Sequence, residues 1–132
     1  MRNNWETQAQ QHFLLLAPER SPRVRLFRRQ VMVAQTDGRW MKAGIKGQCD
    51  LYGLLRGGGH IEIELKSYGG TLSPEQIRWQ AFCGSWGVPH VVLRGDVGEA
   101  PETAAGRWCG ALNAFLDECS VRAATTLRPT GD

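Results

Sequence analysis

Asp50, Glu62, Glu64 and Lys66 are the residues of this chain whose types and spacing best suit chemistry. In His60-Ile61-Glu62-Ile63-Glu64-Leu65-Lys66 apolar and charged residues alternate strictly. That is the period of a strand, with Ile61, Ile63 and Leu65 on one face and Glu62, Glu64 and Lys66 on the other. Charged side chains gathered on one face must meet water, pair, or bind a metal, and the wet face of an antiparallel sheet meets the first condition. The run Asp50-Leu51-Tyr52-Gly53-Leu54-Leu55 precedes it across Arg56-Gly57-Gly58-Gly59, so the two form a β-hairpin. A symmetric four-residue loop would pair Asp50 with Leu65, whereas a five-residue loop, Leu55 to Gly59, sets Asp50 opposite Glu64. An odd register or a bulge is therefore expected. Adjacent carboxylates repel unless a cation lies between them. Magnesium, or manganese, takes such oxygen ligands together with water and phosphate oxygens. A lysine beside the metal helps orient or deprotonate the attacking water, and the chemistry implied is hydrolysis of a phosphodiester.

The elements around this hairpin must hold it. Trp5, Ala9, Phe13 and Leu16 recur at helical spacing, so a helix is expected from Trp5 to about Ala17, capped by Asn3 or Asn4 and ended by Pro18. Ser21-Pro22 opens an extended segment, Val24 to Gln35. Asp37-Gly38 is a turn signal, with Arg39 to Lys42 returning. Gly44 to Gln48 reads as a loop. After the hairpin, Ser73 caps a helix with Pro74 at its first position and Gln76 closing a capping box; the helix runs to about Trp86 and stops at Gly87 and Pro89. Val91-Val92-Leu93 is a short buried strand, and a last helix spans roughly Glu102 to Cys119, with Trp108, Leu112, Phe115 and Cys119 as its apolar stripe. The fold class is α/β, a mixed central sheet flanked by helices. One domain is expected over residues 1–122, with 123–132 a disordered tail.

Bulk properties are permissive. The 132 residues suit one compact domain. With 42% hydrophobic and 22% charged residues the composition is ordinary for a globular protein, and no apolar run is long enough to span a membrane. The start lacks the apolar run of a secretory signal, so a cytoplasmic setting is expected, and a short solitary domain suits a bacterial or phage gene. Cys49, Cys83, Cys109 and Cys119 have no metal-finger spacing, and His12, His60 and His90 are scattered; the cysteines read as reduced, mostly buried residues rather than disulfides or a zinc site. The net charge of +3 says little alone, but Arg20, Arg23, Arg25, Arg28 and Arg29 fall close together. They either contact phosphates or form a charged strand edge that blocks aggregation.

The pattern of Asp50 followed by Glu64-Leu65-Lys66 resembles that of the PD-(D/E)XK nucleases, and four further segments resemble the VRR-NUC group within them. Gly47-Gln48-Cys49-Asp50-Leu51-Tyr52-Gly53 is similar to the group's Gly-Ser-x-Asp-Leu-Ile-Gly segment. Glu64-Leu65-Lys66-Ser67-Tyr68-Gly69-Gly70-Thr71-Leu72-Ser73-Pro74-Glu75-Gln76 is similar to its Glu-Val-Lys, Gly, Leu-Ser-x-x-Gln run. Arg25-Leu26-Phe27-Arg28 resembles its Arg-containing strand, and Glu6 with Gln10 its Glu-x-x-x-Gln helix. The likeness spans about residues 5 to 95. It implies a restriction-endonuclease-like core and a metal-dependent DNA endonuclease, Holliday-junction-resolvase-like or flap-cutting, working on branched or structured DNA as a homodimer. In that reading Asp50, Glu64 and the Leu65 backbone carbonyl hold Mg2+ or Mn2+, and Lys66 positions the water or stabilises charge. Gln76 reaches the site from its helix, and Glu6 is the helical acid that holds a second metal through water. Arg25, Arg28, Arg29 and Lys46 are the expected DNA contacts, and the apolar last helix with Trp108 is a candidate dimer surface.

Each assignment has a plainer counterpart. Gln76 also serves as Ser73's capping partner, and Glu6 as an ordinary acid near a helix start, with Glu19 the other acid on that helix. Glu62 is a solvated neighbour of the site or an extra ligand; Tyr68 stacks on a base or covers its loop; Trp79 lines the site or packs in the core. The chain departs from the group in having Arg29-Gln30-Val31-Met32 where relatives carry two asparagines and a glycine, and in Cys49, where they carry a small residue or proline. Neither departure removes a ligand. The competing functions are a nucleic-acid-binding module that has lost catalysis and a structural protein with a charged sheet face.

Overall fold

The computed structural model describes residues 4–30, 33–42 and 45–127. Helix α1 (Asn4–Arg20) is followed by β1 (Val24–Arg28), β2 (Val33–Thr36), β3 (Arg39–Lys42), β4 (Leu51–Leu55), β5 (His60–Lys66), α2 (Pro74–Ser85), β6 (His90–Arg94) and α3 (Pro101–Leu127). Four strands make a mixed sheet in the order β1-β4-β5-β6, and β2 with β3 forms a separate two-stranded sheet. The pairs β1/β4 and β4/β5 are antiparallel, while β6 runs parallel to β5. A parallel neighbour needs a crossover, and α2 supplies it. The α/β class with helices about a mixed sheet is as the sequence implied.

The core lies on one face of the sheet. Ile61, Ile63 and Leu65, with Leu51 and Val24, meet Ala9 and Phe13 of α1 and Ala104, Ala105, Trp108, Leu112 and Leu116 of α3. Burying each branched or aromatic side chain contributes about 1.5–3 kcal/mol, and the alanines let the two helices approach closely. The Trp108 ring meets Trp5 and Phe13 edge-on, each at 5.8 Å, and its indole N–H donates to the Arg94 carbonyl at 2.9 Å. Trp108 is fully buried in this core, which removes it from any surface that could join two copies.

Three boundaries differ from the sequence reading. Pro18 does not end α1: the helix continues to Arg20, because the missing N–H costs one bond near an exposed end while Ser21 N–H still closes a turn on the Ala17 carbonyl at 2.8 Å. The Ser21 hydroxyl then donates to the Cys109 carbonyl of α3 at 3.0 Å, fixing that end. The extended segment Val24 to Gln35 is two strands in two sheets rather than one. It breaks after Arg29, whose N–H makes a last bond to the Asp50 carbonyl at 2.8 Å and whose side chain turns into the protein. Asp37 and Gly38, both left-handed at φ 51° and 75°, make the expected turn between β2 and β3. Finally, α3 runs on through 120–127, part of which was expected to be a tail; residues 128–132 lie outside the described residues, as do Asn3, Val31, Met32 and Gly44.

Helix α2 is built as its sequence implies. Gln76 N–H donates to the Ser73 hydroxyl at 3.1 Å, Ser73 N–H donates to the Gln76 side chain at 2.9 Å, and Gly87 at φ 73° turns the chain away at the other end. The helix buries only Cys83. It stands against the charged face of the sheet, where the apolar core does not reach.

Candidate active site

The hairpin β4–β5 has the odd register expected of a five-residue loop. Leu51 pairs with Ile63, Tyr52 with Glu62 and Leu54 with His60. Continued by one residue, the same register sets Asp50 across from Glu64. The loop is Leu55 to Gly59: Leu55 N–H donates to the Gly59 carbonyl at 3.1 Å and Gly58 N–H to the Leu55 carbonyl at 3.0 Å. Gly57, Gly58 and Gly59 all take left-handed φ there, which side chains resist. Asp50 is half-buried and Glu64 is 2% exposed. The loop before Asp50 is pressed against α2: a Cβ on Gly47, itself at φ 95°, would lie 2.3 Å from the Glu75 carbonyl oxygen.

At the end of β5, the Lys66 ammonium donates to the Gln76 side-chain oxygen at 2.9 Å. That oxygen also accepts from Ser73 N–H at 2.9 Å, so Gln76 fills both roles open in the sequence, capping its helix and holding Lys66. The positive end of the α2 dipole therefore lies beside Lys66. Glu6 arrives from α1, its carboxylate accepting the Ser67 N–H at 2.9 Å. Glu19 lies about 20 Å farther along the same helix and is exposed. The structure thus brings Glu6, Asp50, Glu64, Lys66 and Gln76 to one end of the β4–β5 pair, and it favours Glu6 over Glu19.

Glu62 differs from expectation. It is 1% exposed rather than solvated. Arg29 donates to both of its oxygens, at 2.6 and 2.8 Å, and the Trp79 indole N–H donates to Oε1 at 3.0 Å. His60 Nε2 lies 2.5 Å from Oε2. Burial raises the pKa of this carboxyl, but the hydrogen bonds from Arg29, His60 and Trp79 outweigh it and the net shift is downward. Arg29 also donates to the Cys49 carbonyl at 3.0 Å and stands over the Tyr52 ring at 5.0 Å. Expected among the DNA contacts, Arg29 is instead a largely buried counterion, tying Glu62 to the two residues just before β4. Trp79 corrects the sequence reading too, since it sits half-buried on the charged face and not in the core. No sequence signal pairs Arg29 with Glu62, because their contact spans 33 positions.

The other expected contacts are exposed: Arg25 and Arg28 on β1, and Lys46, 3.7 Å from the Glu75 carboxylate. Tyr68 is exposed at 66%. No disulfide joins the four cysteines, and Cys49, Cys83 and Cys109 are buried. Cys49 Sγ lies 3.2 Å from His90 Nε2; burial pushes the Cys49 thiol up and the His90 imidazole down, so both are neutral near pH 7.

Among the described residues no group of three or more His, Cys, Asp or Glu side chains is gathered as a metal cage. The donors at Asp50, Glu64 and the Leu65 carbonyl are all oxygen, and two carboxylates with a main-chain oxygen and solvent suit magnesium or manganese, which are seldom held by all-protein cages. The residues present fit such an ion. Among the described residues no helix is long and apolar enough to cross a membrane.

Among solved structures, the chain is similar to one at 16% sequence identity and a TM-score of 0.47, over 82% of this chain and 97% of that one. That structure is described as a VRR_NUC domain. No family model matches the chain, and no curated protein does.

Proposed function

We propose that this protein is a metal-dependent endonuclease that hydrolyses phosphodiester bonds in DNA, with a preference for branched or flapped substrates. The observation that carries this is the β4–β5 register, which sets Asp50 across from Glu64 while Gln76 holds Lys66 beside them. Asp50, Glu64 and the Leu65 carbonyl would hold Mg2+ or Mn2+, which would supply Lewis-acid polarisation of the phosphate and a lowered pKa for water. Gln76 fixes the aim of the Lys66 ammonium, whose remaining donors serve a phosphate oxygen or the attacking water. The start of α2 favours the phosphate's charge. Glu6, fixed by Ser67 N–H, is placed to hold water at the site's edge. Arg25, Arg28 and Lys46 contact flanking phosphates. A two-fold dimer would set two such sites symmetrically, through a surface that excludes Trp108.

The test compares wild type with Lys66→Ala and Asp50→Asn on labelled four-way junction, flap, duplex and single-stranded DNA, with magnesium, manganese or EDTA. Metal-dependent cutting of a structured substrate, lost in both variants while binding persists, is the expected result. Wild type that binds DNA and cuts nothing under either metal would leave a binding module in place of a nuclease.

A further inference from the structure

The end of helix α2 carries an aromatic ridge whose last two rings, Phe82 and the C-cap Trp86, the rest of the described chain leaves exposed. Trp79, Phe82 and Trp86 follow at helical spacing. The first two rings stack at 5.5 Å and 22°, and the last two meet at 5.9 Å and 40°. Phe82 is 51% and Trp86 73% exposed. Large rings are seldom left in water in a contiguous row without a ligand to cover them.

The surroundings of the ridge indicate which ligand. The loop that leads to Asp50 places Ile45 and Lys46 alongside, and these with Glu75, Arg78, Trp79 and Phe82 line a groove of about 560 Å³. Lys46 and Arg78 are 81% and 71% exposed and lie 3.7 and 3.8 Å from the one carboxylate, Glu75. Cations thus outnumber anions along an aromatic floor. The groove also begins at the candidate site: Gln76, one turn before Trp79, holds Lys66, and Trp79 itself holds Glu62.

We propose that this groove, with the Trp86 ring beside it, binds single-stranded DNA adjoining the bond to be cut, with bases stacked on Phe82 and Trp86 and phosphates against Lys46 and Arg78. Unpaired bases offer apolar faces and the backbone offers negative charge, and a floor of rings edged by cations matches both. Duplex DNA hides its base faces and would use only the cations. An apolar protein surface would cover the rings but strip water from Lys46 and Arg78 without compensation. The choice of DNA as the ligand rests on the nuclease reading; the preference for an unpaired strand rests on the rings.

The experiment measures binding of fluorescently labelled single-stranded oligothymidine, and of a duplex of equal length, by anisotropy in EDTA so that no strand is cut. Wild type is compared with Phe82→Ala, Trp86→Ala and the conservative Phe82→Tyr, with far-UV melting as the check that these surface changes leave the fold intact. A base stacked on a ring contributes about 1–3 kcal/mol, so each alanine variant should lose about 5- to 150-fold in single-strand affinity. Duplex affinity should change little, and Phe82→Tyr should bind as wild type does. Unchanged single-strand affinity in both alanine variants overturns the proposal. So does an equal loss for single strand and duplex, or sedimentation showing that the alanine variants only separate copies of the chain. Cutting on a flap is scored separately. Cutting with ring-independent binding removes the groove and keeps the nuclease; ring-dependent binding without cutting does the reverse.

Discussion

Replacing Arg29 with methionine should cost about 3–5 kcal/mol, because it leaves the Glu62 carboxylate buried without its main counterion. Glu62 is 1% exposed and takes two hydrogen bonds from Arg29, at 2.6 and 2.8 Å. The Arg29 bond to the Cys49 carbonyl at 3.0 Å disappears as well. Trp79 and His60 still face the carboxylate, which places the expected loss toward the lower end, about 3 kcal/mol. Glu62→Leu should also destabilise, since the Arg29 guanidinium, only 19% exposed in the wild type, then lacks its partner. The double variant, Arg29→Met with Glu62→Leu, should recover about 2 kcal/mol relative to the sum of the single losses, because an apolar pair of similar volume needs no compensation. Urea unfolding at pH 7 for the four proteins gives the coupling. If the single losses add to within about 0.5 kcal/mol, the pair is not the tie inferred here. The pH dependence adds a second check. The folded Glu62 pKa lies below its ordinary 4.5, so its contribution is fully present above that value and is lost as pH falls through the folded value. The gap between wild type and Glu62→Gln should therefore narrow in acid below about pH 4.5.

Gly47→Ala should lower stability by about 1–3 kcal/mol and cutting by more, since a left-handed residue whose Cβ meets the Glu75 carbonyl at 2.3 Å must move the loop that carries Asp50; thermal melts and flap cleavage read the two losses. Ser73→Ala should cost about 1 kcal/mol through the cap alone, whereas Gln76→Ala should also release Lys66 and reduce the cutting rate far more than its effect on the melt; equal ratios of rate to stability loss in the two variants would show that Gln76 is only a cap. In a thiol-reagent titration of the native protein Cys119, half-exposed, should react first, and Cys49, Cys83 and Cys109 only on unfolding; rapid modification of Cys49 would contradict its burial beside His90.

The local features of the site were legible in the sequence. Of the two loop lengths the sequence left open, the hairpin has the five-residue one, expected because it sets Asp50 across from Glu64. Ser73, Pro74 and Gln76 announced α2 through short-range capping. What escaped is non-local. Alternation gave Glu62 its correct face but not the burial of that face, which depends on α2 and on an arginine just past β1. Arg29 looked like its arginine neighbours because charge clusters carry no information about which member turns inward. Trp79 was left between site and core and lies in the charged layer, while Trp108, on the apolar stripe of α3 but also offered as a dimer surface, lies wholly in the core. Pro18 misled because a proline in a helix's last turn removes little.

The sparse apolar burial of α2 gives the two sides of the sheet different thermal character. The side closed by α1 and α3 is held by hydrocarbon, whose cohesion fades on cooling and carries most of the heat capacity of unfolding. Helix α2, with Cys83 as its one buried residue, is held by Gln76 on Lys66 and Trp79 on Glu62, polar contacts that denaturant weakens directly and of which acid weakens the second by protonating Glu62. Local opening of α2 should therefore cost less than global unfolding, and its amides should exchange with solvent ahead of those of α1 and β5. Catalytic competence and foldedness would then be separable along a temperature or pH scale, with a window in which the protein is intact by every measure of its core yet Lys66 has lost its support.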